Sequence, residues 1–117
     1  MPIRTHTLDA IIPTDAGALS PAVQLNGLML EAITMPAAWT AATLAFAVSE
    51  TEGGTYRPLA DFLGTEIQIT AAAGAVVQIP MGAVRGHNWL KVQSGTAAVP
   101  VVQAAARTLT LLVRHYA

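Results

Sequence analysis

A period-two pattern of apolar residues near the end of the chain constrains the fold most. In the segment 107–114, Leu109, Leu111 and Val113 stand at every second position, and Thr108, Thr110 and Arg114 stand at alternate positions between or beside them. A period of two places the apolar side chains on one face of an extended strand, whereas a helix repeats after about 3.6 residues. The segment therefore predicts a half-buried β-strand whose three apolar residues face the core.

Comparable segments recur along the chain between turn residues. Further strands are predicted at 5–12, 27–35, 43–49, 66–70, 75–80 and 87–94, with a short extended piece at 21–25. The short connection 71–74 predicts a hairpin between the strands on either side of it. The strands 27–35 and 107–114 are both long, and we expect them to pair.

These segments and their spacing predict an all-β fold. Turn signals repeat every 8–12 residues or so, which is typical of a sandwich or a barrel. We predict a single-domain antiparallel β-sandwich with a jelly-roll or an immunoglobulin-like topology. Residues 27–117 would form the sandwich, and residues 1–26 either an extended arm or a first strand. Residues 36–39 could form one helical turn, and Pro100 predicts an irregular crossing loop over 97–106.

Charge is scarce in this chain of 117 residues. Charged residues make up 11% of it, against about 25% in a typical soluble protein. The composition therefore favours a surface that is covered by partners in a homo-oligomer or a larger assembly, although an alanine-rich coding bias would give the same numbers. The six basic residues are scattered, which argues against nucleic-acid binding. No apolar run is long enough to predict a transmembrane helix.

Residues that could carry catalysis form no recognisable motif. Cysteine is absent, and His6, His87 and His115 do not have the spacing of metal ligands. No nucleophile or phosphate-loop motif is present, so we predict no enzyme activity, no cofactor and no metal site. Glu31 interrupts an apolar run, and it is expected to face solvent. If it were buried, it would need a partner such as an arginine on the adjacent strand.

The candidate ligand or interface residues are the aromatic side chains Trp39, Tyr56 and Trp89. Tryptophan can stack on sugar rings, which would suit a carbohydrate-binding module. The alternative is that one or both tryptophans close the ends of the sandwich, where a large apolar side chain contributes most to packing. The scarcity of polar residues around either tryptophan in the sequence favours the packing role.

Four ordered segments carry a resemblance to a known group of proteins. They are the run 35–46, the turn 52–56 followed by Leu59, and the runs 89–97 and 107–111. Over residues 27–114 the chain resembles small proteins encoded among the head and structural genes of tailed bacteriophages, prophages and gene transfer agents.

The resemblance implies a non-enzymatic virion protein, assembled in the host cytoplasm. It would be a capsid decoration protein or the base to which a head spike or fibre attaches. Its partners would be further copies of itself and other virion proteins, such as the major capsid protein or a spike. The resemblance implies no catalytic residues.

Overall fold

The fold was obtained as a computed structural model, which describes residues 5–12, 18–80 and 82–115, with Thr5 and His6 as backbone only. Eight β-strands and no helix occur in these ranges. The strands are β1 (Thr5–Ile12), β2 (Val23–Gln24), β3 (Leu28–Thr34), β4 (Leu44–Ser49), β5 (Arg57–Pro58), β6 (Val76–Gln78), β7 (Trp89–Ser94) and β8 (Arg107–His115). The predicted all-β class is confirmed.

The strands form two four-stranded antiparallel sheets. The first sheet has the order β1-β8-β3-β6, and the second has the order β2-β7-β4-β5. The hydrogen-bonded pairs therefore include β1 with β8, β2 with β7, β3 with β6 and β4 with β5. These are the pairs of one long hairpin that is doubled over on itself, which is the jelly-roll arrangement of eight strands. The predicted antiparallel sandwich is confirmed, and its topology is that of a jelly roll.

The core lies between the inner faces of the two sheets. On the first sheet, Leu109, Leu111 and Val113 of β8 are fully buried, as their alternation predicts. On the second sheet, Leu90 and Val92 of β7 are buried in the same way. The predicted pairing of 27–35 with 107–114 is also confirmed, because β3 and β8 are central neighbours in the first sheet.

Alternation fails at one position of β4. Ala45 belongs to the outer face of the second sheet, yet it is as fully buried as the core residues Leu44 and Phe46. Its cross-strand neighbour on that face is Gln93, whose longer side chain stands beside the alanine methyl group. A small side chain between longer neighbours loses its solvent contact even on an outer face.

The predicted hairpin of 66–70 with 75–80 is wrong. Residues 66–70 form no strand. Ile69 forms an isolated bridge with Leu44 of β4, and Glu66 forms one with Ala60, which lies outside the strands. The second segment contributes β6, which pairs with β3 in the first sheet. The connection 71–74 therefore crosses from one sheet to the other, which a short turn sequence does not reveal.

Two connecting segments differ in how well the sequence predicts them. Residues 36–39 form no helical turn, whereas residues 97–106 form the irregular loop that was expected. The loop begins at Gly95, whose φ of +88° is in the left-handed region that favours glycine. An isolated bridge from Gly95 to Pro100 closes the start of this loop.

Glu31 lies at a β-bulge in β3, where the register with β8 shifts between Leu30 and Ala32. Its carboxylate is 3.9 Å from Nε of Arg114 on β8, and the two side chains are 27% and 39% exposed. The glutamate is therefore both partly solvent-exposed, as expected, and paired with an arginine of the adjacent strand. The bulge brings these two side chains together, and the sequence contains no signal for it.

Candidate functional site

The outer face of the second sheet carries two of the predicted aromatic residues. Because Leu90 and Val92 face the core, Trp89 and Lys91 of β7 face outward. Trp89 is half-buried, and its cross-strand neighbour on β4 is Ser49. The β4–β5 register pairs Val48 with Arg57. Continued by one residue, this register places Tyr56 beside Ser49, on the same outer face as Trp89 and Lys91.

Tyr56 and Lys91 are in direct contact. The Lys91 ammonium nitrogen lies 4.4 Å from the centre of the Tyr56 ring, within the range of a cation–π interaction. The Tyr56 hydroxyl donates a hydrogen bond to the backbone oxygen of Glu52, 2.8 Å away. Partial desolvation, and secondly the negative charge of Glu52, raise the pKa of the Tyr56 hydroxyl above its ordinary value. Trp89, Lys91 and Tyr56 form a surface that we call the aromatic face.

Polar side chains border the aromatic face at the Trp89 end. The Glu50 carboxylate lies 4.0 Å from Nδ1 of His87. The Asn88 side-chain amide donates to both the backbone oxygen and the carboxylate of Glu50, at 3.4 Å in each case. The sequence interpretation gave too little weight to His87 and Asn88, which directly precede Trp89, and only the fold brings Glu50 to this end of the sheet.

Trp39 lies apart from the other two aromatic candidates. Trp39 lies in the connection before β4, at the end of the β4–β7 pair where β4 begins with Leu44. Trp89 lies at the other end of this pair, where it is the cross-strand neighbour of Ser49. The Trp39 side chain packs against the hydrophobic core, and its indole nitrogen donates to the backbone oxygen of Ala42 at 3.2 Å. Trp39 thus has the packing role that the sequence favoured.

A buried polar network lies near Trp39. The side-chain oxygen of Gln103 accepts hydrogen bonds from the Thr40 backbone nitrogen at 2.8 Å and from Nε of Arg107 at 3.2 Å. Its amide nitrogen donates to the Thr40 backbone oxygen at 2.9 Å and to the Ser94 hydroxyl at 2.8 Å. These bonds join the connection before β4 to the loop before β8. The network explains the buried glutamine, because both polar groups of its side chain are hydrogen-bonded.

The outer face of the first sheet has a central patch with a single charge, and the ion pair of Glu31 and Arg114 lies on the same face beside this patch. Two rows of outward residues cross all four strands in register. One row is Asp9, Thr110, Thr34 and Val76, and the other is Thr7, Leu112, Ala32 and Gln78. Asp9 is the one charged residue among these eight. Surfaces of free soluble domains usually carry about 25–35% charged residues. We call these eight residues the neutral face.

A tight loop presents two large apolar side chains that sequence reasoning did not single out. Phe62 is 96% exposed and Leu63 is 75% exposed. The Asp61 carboxylate holds the loop by accepting hydrogen bonds from the backbone nitrogens of Leu63 and Thr65, at 2.9 and 3.0 Å. Residues 61–65 are called the tip. An aspartate with a glycine three residues later indicates such a turn, but nothing in the sequence shows that the intervening residues are left in solvent.

An open cleft of about 740 Å³ adjoins the tip. The apolar residues that line the cleft come from segments 60–69 and 80–83. They are Ala60, Phe62, Ile67, Ile69, Pro80 and Ala83. Thr65, Glu66 and Gln68 supply polar edges. The Glu66 carboxylate accepts a hydrogen bond from the Ala97 backbone nitrogen at 3.1 Å, so this acid is already engaged within the chain.

The described residues contain neither a metal-binding cluster nor a membrane-spanning helix. No group of three or more histidine, aspartate or glutamate side chains within 5–12, 18–80 and 82–115 is arranged to hold a metal ion. In the same part of the chain, no helix has the length and the apolar character that crossing a membrane would require.

The chain was compared with protein-family models, with curated proteins and with solved structures. None of the three comparisons found a match.

Proposed function

We propose that this chain is a non-enzymatic structural protein of a tailed phage-like particle. It would act through protein–protein contacts, as a capsid decoration protein or as the attachment base of a head spike or fibre. The proposal starts from the sequence resemblance over residues 27–114, and one structural observation supports it above all, namely the neutral face. A patch that spans all four strands and whose one charged residue is Asp9 suits burial against another protein.

The residue types of the neutral face suit such a contact. Thr34, Thr110 and Ala32 are small and make a flat surface, while Leu112 and Val76 add apolar area. Burial of apolar area drives association, and the central part of a protein interface is depleted in charged residues. In a free monomer the same positions would gain solubility from lysine or glutamate, as solvent-facing strand positions commonly do.

The jelly-roll topology is a second, weaker support. Double-sheet jelly rolls occur in viral capsid proteins and also in lectins, so the fold is compatible with both classes of function. A fold alone does not determine function, and this support is an analogy at the level of the fold.

Incorporation into particles tests the proposal. Tailed particles are purified from cells that carry the gene with a tagged chain, and the tag is followed through sedimentation. We expect the wild-type chain to sediment with the particles. Val76→Lys places a charge in the neutral face at a side chain that is 61% exposed, and should therefore reduce incorporation while the protein stays folded. Gln24→Lys, an exposed position on β2 of the other sheet, is the matched control. Wild-type protein that remains entirely in the supernatant contradicts the proposal.

Carbohydrate binding is the second candidate, and the aromatic face favours it. Trp89 and Tyr56 share one sheet surface, and Glu50 and Asn88 provide hydrogen-bonding groups at its edge. Aromatic rings beside a few polar groups are a typical arrangement for ligand recognition. A glycan array with the wild type and with Trp89→Ala tests this candidate. Binding that the variant loses would support it, and an array without any signal would remove it.

A further inference from the structure

We propose that two copies of the chain associate about a two-fold axis, with the Phe62 side chain of each copy seated in the cleft of the other. This inference rests on the proposed function, since it names how the copies of an assembled protein join. It is carried by the tip and the cleft, which are separate from the neutral face and from the aromatic face.

The tip has the properties of a preformed anchor. Phe62 makes almost no contact with its own chain, because 96% of it is exposed. The loop below it is nonetheless fixed, since Asp61 and Thr65 are joined by a backbone hydrogen bond of 2.8 Å in addition to the carboxylate bonds. An aromatic side chain on a rigid support loses little conformational entropy on binding, and such residues dominate interface energies.

The same chain offers a receptor for this anchor. The cleft has room for an aromatic ring, with a volume of about 740 Å³ and a floor that includes Ile67, Ile69 and Ala83. Phe62 borders the cleft of its own chain, so the anchor and its receptor are neighbours on one surface. Because the tip and the cleft are adjacent, one two-fold axis can place each tip in the cleft of the other copy at the same time. The result is a closed dimer that adds no further copies through this contact.

Charge favours a protein as the occupant over a lipid surface. The segment 59–84 contains no lysine or arginine, while Asp61 and Glu66 flank the tip. Loops and helices that bind anionic membranes combine exposed apolar residues with basic ones, because the basic residues supply the electrostatic attraction. The tip carries the opposite charge. In the dimer the acidic tips of two copies meet, so we expect added salt to strengthen the association.

The area of the contact predicts a weak dimer. Two phenylalanine side chains bury about 400 Å² in total, and the cleft walls that they cover bring the sum to the order of 1,000 Å². Stable interfaces begin near about 1,200 Å², so we expect a dissociation constant in the micromolar range or weaker. Within a particle the copies are held close together, and the effective concentration makes such a contact sufficient.

Sedimentation velocity from the micromolar to the millimolar range tests the dimer. We expect a reversible monomer–dimer equilibrium for the wild type, and for Phe62→Ser a dissociation constant at least about thirtyfold higher. The substitution is at an exposed position and should leave the fold intact. Val102→Ser, another exposed apolar position but outside the tip, the cleft and the neutral face, is the matched control and should leave the dimer unchanged.

A second variant addresses the receptor. Gln68 is exposed at the edge of the cleft, and Gln68→Trp should fill the cleft and prevent dimerisation while Phe62 remains. A mixture of Phe62→Ser and Gln68→Trp retains one of the two insertions, so it should associate more weakly than the wild type but more strongly than either variant alone. A mixture that associates no more strongly than either variant alone would contradict the insertion of the tip into the cleft.

Other outcomes overturn the inference in distinguishable ways. A wild type that stays monomeric over the whole range, or an oligomer that Phe62→Ser leaves unchanged, would overturn the dimer. If the monomeric wild type still enters particles and Phe62→Ser does not, the tip binds a different virion protein, and the proposed function stands. A Phe62-dependent dimer that never enters particles would support the inference and count against the proposed function.

Discussion

The side-chain amide of Gln103 donates a hydrogen bond to the Ser94 hydroxyl, with 2.8 Å between nitrogen and oxygen, and both residues are buried. The same glutamine also bonds to both backbone polar groups of Thr40. One side chain thereby joins the end of β7, the connection before β4 and the loop before β8. Interior positions rarely hold a polar side chain unless all its groups are paired, as they are here.

Removal of the Gln103 amide should destabilise the protein strongly. Gln103→Leu keeps the approximate volume but removes the partner of the buried Ser94 hydroxyl and of the partly buried backbone groups of Thr40. We expect the free energy of unfolding to fall by about 3 kcal/mol. Urea denaturation followed by circular dichroism measures the change. Gln24→Leu, at an exposed position, should change the free energy of unfolding by less than about 0.5 kcal/mol. Equal effects at the two positions would contradict this account of the network.

Gly95 should tolerate no larger residue. A Cβ atom at this position would lie 2.5 Å from the backbone oxygen of Val99 and 2.7 Å from the nitrogen of Val101, and φ is +88°. Gly95→Ala should therefore lower the free energy of unfolding by at least about 3 kcal/mol. Gly27 also has positive φ, +81°, but a Cβ there would meet nothing within 4 Å. Gly27→Ala should cost only about 1 kcal/mol. Thermal denaturation of both variants separates the cost of the steric clash at Gly95 from the cost of placing alanine at a positive φ.

The pair Glu31–Arg114 should contribute little to stability. Both side chains are partly exposed and their closest atoms are 3.9 Å apart, so solvent screens the attraction. A double-mutant cycle with Glu31→Gln and Arg114→Gln should give a coupling energy below about 1 kcal/mol. The coupling should decrease further at high salt. A coupling energy of several kcal/mol that persists at high salt would contradict this expectation, because it would require an ion pair that is shielded from solvent.

Tyr56 should ionise at a higher pH than an ordinary tyrosine. Desolvation and the charge of Glu52 raise its pKa above 10.0, so the neutral hydroxyl is favoured in the folded state. The corresponding stability is present below pH 10 or so, where the unfolded tyrosine is still neutral, and is lost as the pH rises through the folded pKa.

Tyrosinate absorbance in a Tyr116→Phe background measures this pKa, because the chain has only two tyrosines. Glu52→Gln should lower the pKa of Tyr56, whereas Glu50→Gln should leave it unchanged. Titration of Tyr56 at or below the ordinary value would contradict the expected shift.

The parts of the fold that the sequence predicts are those with regular alternation. β7 and β8 each bury every second residue, and their positions and facing follow from that pattern alone. The pattern of Ile67 and Ile69 is equally regular, but it arises from packing at the edge of the core without a partner strand. Local periodicity indicates which side chains are buried, but it does not indicate which strand pairs with the segment.

The candidate surfaces depend on contacts between distant parts of the chain. Trp89 and Tyr56 are visible in the sequence as aromatic residues, but only the register of β7, β4 and β5 places them on one face. Phe62 looks like a core residue, since phenylalanine usually is one. Its exposure follows from the turn that Asp61 closes, and the neutral face follows from the jelly-roll strand order.

Electron cryo-microscopy of tailed particles from cells with and without the gene tests the proposed structural role most directly. We expect density at symmetry-related positions on the head or at its spike base, into which the eight-stranded sandwich fits with its neutral face against another protein. That density should be absent from particles made without the gene. Identical particles from both sources, with the chain left in the soluble fraction, would contradict the account.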